Sequence, residues 1–373
     1  MAQGNPADTP AAITRWRQRL EPNRVATAWA QMLLRAAGKA KFSRAEEMLF
    51  DRIGLEQATD EVVAHYKAQR FNGMTHLADL CAGIGGDTLA LANEREVVAV
   101  DWSSVRLAIA EHNTAVYGRR CTTRVGDVAF DWPDAQAVHI DPDRRPSGRR
   151  RRQPDACSPG LDVLQRIVEH YHNAAIKLSP GADLNTLPFD AEIELISHHG
   201  ECKQAVVWTG SLKRACRTAT VLPTGESISA TDEQTLDWPP PRHVTPGCIL
   251  FEPNPAVIRA NLVGVLAHQH NLAPLDPCIA YLIGHQPLAT SLLQPFHVVD
   301  AIHWSLKNAR TWLADHDIGK LEIKTRGFAA KPEDLQHRLK LRGHRQAVLF
   351  LTRVGEEPIA ILAERQAQNP LPA

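Results

Sequence analysis

The chain has 373 residues, 44% of them hydrophobic, with 42 basic side chains matched by 42 acidic ones. That balance fits a globular protein with two or three cores and excludes a general polycation, so any nucleic-acid contact must come from a local patch. No apolar run approaches the roughly 20 residues that span a bilayer, "MAQGNPADTPAAITRWRQRL" has no secretory pattern, and the seven cysteines make no C-x-x-C pair, so reduced thiols and a cytoplasmic location are expected.

Residues 10 to 70 read as helical, either as a cap of about 70 residues or as a two-helix connector. In "FSRAEEMLFDRIGLEQ", Ser43 and Glu46 have capping-box spacing, followed by apolar Met48, Leu49 and Ile53. A second amphipathic stretch, "DEVVAHYKAQRF", leads into the first strand.

From Thr75 onward short apolar runs alternate with helical segments: "HLADLC", "DTLALANE", "EVVAV", "SSVRLAIAEHNTAVYG", "CTTRV", "QAVHI", "LDVLQRIVEHYH" and "AAIKL". Such alternation predicts right-handed βαβ units and a mostly parallel sheet. "AEIELIS" and "KQAVVW" are separated only by "HHGEC", so they are expected to close the sheet as an antiparallel hairpin. The polar, proline-rich "GESISATDEQTLDWPPPRHVTPG" reads as a boundary. A second α/β pattern follows, from "CILFEP" to "QAVLFLT", then a tail, "QAQNPLPA". The segments divide into 1–72, helical; 73–230, the sheet domain; 231–246, a linker; 247–365, a second α+β domain; and 366–373, a tail.

In "DLCAGIGGD" the turn from first strand to first helix carries Gly83, Gly85 and Gly86, which let the backbone approach a ligand closely. A dinucleotide fingerprint would close on a third glycine, where this chain has Thr88. Asp79 is placed to meet the ammonium of a methionine moiety. Asp101 ends the second strand, where a carboxylate can accept from both hydroxyls of a ribose. Trp102 beside it can cover an adenine, and Asp127, followed by Val128, can accept from the adenine's exocyclic amine. With Cys81, Ala82 and Asp87 completing the loop, these contacts describe S-adenosylmethionine. The 17 histidines lack zinc-site spacing, and no metal is expected.

The fourth strand leads into "DPDRRPSGRRRR". Asp141 and Pro142 are placed to face the transferred methyl, with Asp141 orienting or deprotonating the acceptor. Enzymes that methylate exocyclic amines often follow such an acid and proline with an aromatic; here Asp143, Arg144 and Arg145 follow. Arginine can stack on a base or grip a phosphate. Arg149, Arg150, Arg151 and Arg152 form either a solvated loop or a phosphate-catching one; their place at the substrate edge favours the second. Lys177, at the end of the fifth strand, either contacts a phosphate or pairs with Asp141 or Asp143. Glu201, Lys203 and Trp208 read as structural.

"LADLCAGIGGD…VVAVDWSSVRLAIAEHNTAVYG…VGDV" resembles the cofactor half of a class I S-adenosylmethionine-dependent methyltransferase, and its A-x-x-N helix resembles the trimethylguanosine-synthase-like branch. The wider chain, through "GLEQAT", "DPDRR", "IKLSPG", "GECKQAVVW", "LEIKTRG" and "LKLRG", is similar to bacterial class I methyltransferases with a C-terminal THUMP-like domain. The resemblance covers about residues 40 to 365. It implies an α/β fold: a Rossmann-like parallel sheet with a terminal antiparallel hairpin, an N-terminal helical cap and a C-terminal α+β THUMP-like domain. It also implies methyl transfer to an RNA such as rRNA or tRNA, with Lys324, Arg326, Lys340, Arg342 and Arg345 helping to dock it. The alternatives are a small-molecule or protein methyltransferase, expected to cover the site with an apolar pocket, and an RNA-binding protein that keeps the cofactor fold without turnover.

Overall fold

The computed structural model describes residues 21–144, 157–231 and 238–365. The N-terminal 20 residues and the tail lie outside them, as do Arg145, Arg149, Arg150, Arg151 and Arg152. The chain divides into two compact units, one of residues up to Ala191 with Val206–Lys213, the other of Glu192–Ala205 with Arg214 onward. Among the described residues no helix is long and apolar enough to cross a membrane.

In the first unit, helix α1 (Pro22–Gly38) starts on a proline at its first turn, where no N–H is needed. The next segment departs from expectation. Residues 41–50 form turns, because Phe42, Ala45, Met48 and Phe50 are all buried, a set no single helical stripe could bury together. Ser43 therefore does not cap a helix: its N–H and hydroxyl both donate to Glu61, at 2.6 and 3.0 Å. Helix α2 (Arg52–Gln57) starts instead on Asp51, whose carboxylate accepts from Gly54 N–H, and α3 (Glu61–Gln69) on Asp60.

Strands β1 (His76–Leu80), β2 (Glu96–Asp101), β3 (Thr122–Val125), β4 (Ala137–Ile140) and, further along, β7 (Ala174–Leu178) lie in the order β7-β4-β1-β2-β3, all parallel. Every residue of β4 is buried, as expected of a central strand covered on both faces. Connecting helices are α4 (Thr88–Leu91), α5 (Ser104–Val116) and α6 (Leu161–Tyr171). α5 starts on Ser103, whose hydroxyl accepts from Arg106 N–H. Burial of Leu77, Leu80, Val100, Ile140 and Ile176 supplies about 1.5–3 kcal/mol each before entropy is charged. The strand order reverses between β1 and β4, so a crevice opens at their carboxyl ends. After β4, the main chain of β5 (Asp143–Arg144) pairs antiparallel with β6 (Cys157–Ser158).

The second unit starts with β8 (Glu192–His198) and β9 (Glu201–Trp208), the latter's last residues belonging to the first unit. They are neighbours joined by His199 and Gly200, both at positive φ, the two-residue turn of the expected antiparallel hairpin. β10 (Arg217–Leu222) runs parallel to β8, and β11 (Glu226–Ala230) turns back on β10. The stretch read as a boundary, "GESISATDEQTLDWPPPRHVTPG", opens with all of β11, whose "ESISA" buries only Ile228 and Ala230.

A seven-stranded sheet completes this unit, in the order β13-β14-β12-β15-β18-β17-β16. Its strands are β12 (Ile249–Pro253), β13 (Ala273–Asp276), β14 (Ile279–Gly284), β15 (Leu293–His303), β16 (Ile318–Thr325), β17 (Arg345–Val354) and β18 (Glu357–Arg365). All pairs are antiparallel except β16 and β17. "AVIRANLVGVLAHQ" forms two helices, α7 (Pro255–Arg259) and α8 (Val263–Gln269), divided where Asn261 takes φ 59°. Helices α9 (Leu306–Asp315) and α10 (Pro332–Leu339) bury Trp312, Leu313, Leu335 and Leu339 with Leu321, Leu349 and Leu362. A second apolar cluster holds Tyr281, Phe296 and Phe350.

Candidate active site

The glycine loop leaves β1 at the strand-order reversal, and its three glycines do different work. Gly85 has φ 83°, and a Cβ there would lie 3.0 Å from Ala110 Cα in α5. A Cβ on Gly86 would lie 3.2 Å from Ala58 Cβ and the Thr59 carbonyl. Both are small because protein packs against them. At Gly83, φ 56°, a Cβ would meet nothing nearer than a carbonyl at 4.0 Å. Gly83 faces open space.

Asp101 fixes this loop against β2. It is 3% exposed, its Oδ2 accepts from Gly83 N–H at 3.0 Å and its Oδ1 from Ser103 N–H at 2.9 Å. Beside it Trp102 is 72% exposed, and past β3 Phe130 is 81% exposed. Asp127 is exposed, with Oδ1 accepting from Ala129 N–H at 2.9 Å, and Val128 is buried. Exposed rings beside strand-end carboxylates suit the planar base and diol of an adenosine. Phe130 escaped sequence reading, although its place three residues after Asp127 was a usable signal.

Asp79 and Asp87 stand elsewhere than expected. Asp79 is 1% exposed and turned inward: Oδ2 accepts from the Thr88 hydroxyl at 2.5 Å, and Oδ1 lies 2.8 Å from His139 Nδ1. Asp87 Oδ1 pairs with Lys67 Nζ at 2.7 Å, and Oδ2 accepts from the Thr59 hydroxyl at 2.7 Å. Lys67 Nζ in turn lies 3.1 Å from His139 Nε2. With every oxygen engaged inside the protein, these carboxylates bracket the loop and do not project into the crevice. Burial opposes ionisation of Asp87, but the neighbouring positive charges, that of Lys67 first, together outweigh it and hold the carboxyl below the usual carboxylate range. His139, a polar residue in the apolar run "AVHI", was the available sequence signal; Lys67, one cation on an amphipathic helix, gave none.

The segment "GLEQAT" lies on the glycine loop. A Cβ at Gly54 would collide with Ile84. The Lys41 ammonium donates to the carbonyls of Leu55, Glu56 and Ala58, at 2.7, 2.9 and 2.8 Å, gathering the exposed carbonyls where α2 ends. Asn113, the asparagine of the A-x-x-N helix, is fully buried. It donates to the carbonyls of Leu49 and Ile84 and accepts from Leu49 N–H.

Asp141 and Pro142 follow β4 at the crevice, and Asp141 N–H donates to the Leu80 carbonyl at 3.2 Å. Lys177 Nζ lies 2.5 Å from Asp141 Oδ2 and 3.3 Å from the Gln57 carbonyl. Of the two readings of Lys177, the structure adopts the ion pair. Asp143 and Arg144 lie in the short ladder already described.

In the second unit three of the expected docking cations are already matched. Lys324 pairs with Glu252 at 2.6 Å, Arg326 approaches Glu252 at 3.7 Å and stacks over Tyr281, and Arg345 pairs with Glu364 at 2.6 Å. Burial pushes the Tyr281 phenol up to about 12. Lys340 and Arg342 are exposed.

A parallel sheet with a glycine loop at its switch point and a carboxylate ending the next strand defines the class I methyltransferase architecture. The chain belongs to the S-adenosylmethionine-dependent methyltransferase family, with a THUMP-like C-terminal region. Two relatives, uncharacterized S-adenosylmethionine-dependent methyltransferases of Mycobacterium tuberculosis strains CDC 1551 and H37Rv, are each 35% identical over 318 residues, covering 83% of this chain and 86% of theirs. The RNA cap guanine-N2 methyltransferase family model matches residues 74–157, and the THUMP domain-like model matches residues 293–365. In fold, the chain is similar to a crystal structure from Porphyromonas gingivalis W83 assigned as a methyltransferase, with TM-score 0.79 and 19% identity, covering 95% of this chain and 98% of that one. The open face at Gly83, the Asp101 carboxylate and the exposed Trp102 fit the cofactor's loop, ribose and adenine contacts. When bound, S-adenosylmethionine supplies an electrophilic methyl group on its sulfonium.

Proposed function

We propose that this protein methylates RNA, binding S-adenosylmethionine at the carboxyl ends of β1 and β2 and the acceptor beside Asp141. The observation that carries this reading is the match of the RNA cap guanine-N2 methyltransferase model to residues 74–157, which span the glycine loop and Asp141-Pro142 together. The THUMP-like match over 293–365 supports the same substrate class.

In this reading Gly83 gives the cofactor access to the loop backbone, Asp101 takes the ribose hydroxyls, and Trp102, Val128 and Asp127 frame the adenine. Cys81, Ala82, Gly85 and Gly86 hold the loop's shape, and Asp79 and Asp87 brace it from inside. Asp141 orients the acceptor and accepts its proton, while Lys177, paired with it, keeps the carboxylate aimed. Methyl transfer from a sulfonium needs in-line placement and little else, so positioning accounts for most of the rate. Arg144, Arg145 and Arg149 to Arg152, with Lys340 and Arg342, are the cations assigned to phosphate.

The test is transfer of labelled methyl from S-adenosylmethionine to RNA taken from a strain lacking the gene, with Asp141→Asn as control. Labelling by the native protein and about a hundredfold less by the variant supports the reading, that being the usual range for loss of one acid–base group. Equal labelling by the variant removes Asp141 from the chemistry. Labelling of protein or small molecules in place of RNA overturns the substrate class.

A further inference from the structure

Behind the glycine loop, four ionisable side chains are threaded together away from solvent. Lys67 and His139 are each 1% exposed, and the flanking carboxylates, Asp79 and Asp87, stand at the first and last positions of "DLCAGIGGD". The Thr88 hydroxyl closes the circuit by donating to Asp79. The two ends of the loop are thereby tied through one imidazole and one ammonium.

The hydrogen bonds fix the protons. An ammonium only donates, so at the 3.1 Å contact with Lys67 the His139 Nε2 must be the acceptor and carry no proton. The imidazole's remaining proton is then on Nδ1, donated to Asp79 at 2.8 Å. We propose that Lys67 is a positioning residue of the cofactor site, which holds His139 neutral as the Nδ1–H tautomer and so fixes the two ends of the glycine loop. This rests on assigning that loop to the cofactor.

A distinctive consequence follows for the charge. With Lys67 present, the ammonium serves both carboxylates, directly at Asp87 and through the imidazole at Asp79. Without it, two buried carboxylates would lack a cation, and His139 is the group able to supply one by taking a proton on Nε2. The groups facing His139 are Asp79 from β1, Lys67 from α3 and Asp87 at the start of α4. Lys177 from β7 acts on Asp87, and the Cys121 thiol before β3, pushed up by burial, also feels Asp79.

The experiment is a histidine nitrogen spectrum of the full-length protein between about pH 5 and 8, where an ordinary imidazole titrates, paired with calorimetric S-adenosylhomocysteine binding for Lys67→Met. In the native protein the His139 ring is expected as the Nδ1–H tautomer. In Lys67→Met the ring should no longer be held in that tautomer, and affinity should be kept at acid pH and fall by up to about tenfold per pH unit as pH rises. Adding Asp87→Asn should remove most of that dependence. The Nε2–H tautomer, or a ring protonated on both nitrogens, in the native protein overturns the proposal even if the variant does not fold. So does a pH-independent loss of binding in Lys67→Met. Absence of RNA labelling with these spectra unchanged would count against the RNA reading alone.

Discussion

The side-chain amide of Asn113 grips the main chain of Leu49 from both sides: its Oδ1 accepts from the Leu49 N–H at 2.8 Å and its Nδ2 donates to the Leu49 carbonyl at 3.0 Å. The same Nδ2 reaches the Ile84 carbonyl at 2.9 Å, inside the glycine loop. One residue of α5 thus joins the N-terminal segment to the loop that receives the cofactor.

Replacing Asn113 by Ala would leave a buried N–H and two carbonyls without their partner, and aspartate would supply an acceptor but no donor. Asn113→Ala is expected to cost about 3 kcal/mol, within the range for unsatisfied buried groups. Asn113→Asp should fare no better, since it buries a charge. Thermal unfolding checks both, and the 44–50 segment should become the earliest site of proteolysis.

Gly83 and Gly85 should separate binding from stability. A methyl group at Gly85 meets Ala110 at 3.0 Å, so Gly85→Ala is expected to lose about 2 kcal/mol of stability from overpacking together with left-handed strain. Gly83→Ala has open space before it and should cost about 1 kcal/mol, for φ alone. Its larger effect should be on S-adenosylhomocysteine affinity, measured by calorimetry, because the added methyl occupies the ligand's approach.

Asp101→Asn keeps one acceptor oxygen, for either Gly83 or Ser103, turns an amide NH2 toward the other N–H, and removes the charge offered to a ribose diol. Cofactor affinity is expected to fall about 10- to 100-fold, the worth of a charge-assisted hydrogen bond, and stability by about 1–3 kcal/mol for the N–H left without its acceptor. Unchanged affinity would detach Asp101 from the ribose.

Acid should destabilise the first unit through Asp87. Its folded pKa lies below the ordinary carboxylate value, so its stabilising contribution is complete above that value and is lost as pH falls beneath it. Asp87→Asn should flatten the acid limb of a stability-against-pH curve. At neutral pH it should cost about 3–5 kcal/mol, because Lys67 is left buried without its counter-charge.

Much of the sheet was legible because apolar runs such as "AVHI" and "EVVAV" are buried on both faces, and period and length alone mark them. Asp101 was legible for a related reason: a carboxylate closing such a run has few structural uses. The inward turn of Asp79 and Asp87 was not, since it depends on His139 and Lys67, partners 60 and 20 residues away along the chain. Residues 41–50 misled because local capping chemistry at Ser43 lost to the burial of Phe42, Met48 and Phe50. Edge strands such as β11 were hidden by polar composition, which an edge tolerates and a central strand does not.

The contact between Lys67 and His139 also says where this protein can be cut. Similarity to the cap guanine family starts at residue 74, yet the ammonium that balances Asp87 lies upstream of it. A fragment trimmed to the recognisable methyltransferase segment would inherit two interior carboxylates without their counter-ion, and would aggregate or bind cofactor poorly for reasons unrelated to its catalytic residues. The unit of inheritance and the unit of folding differ here by at least one helix, and expression fragments should be drawn along the second.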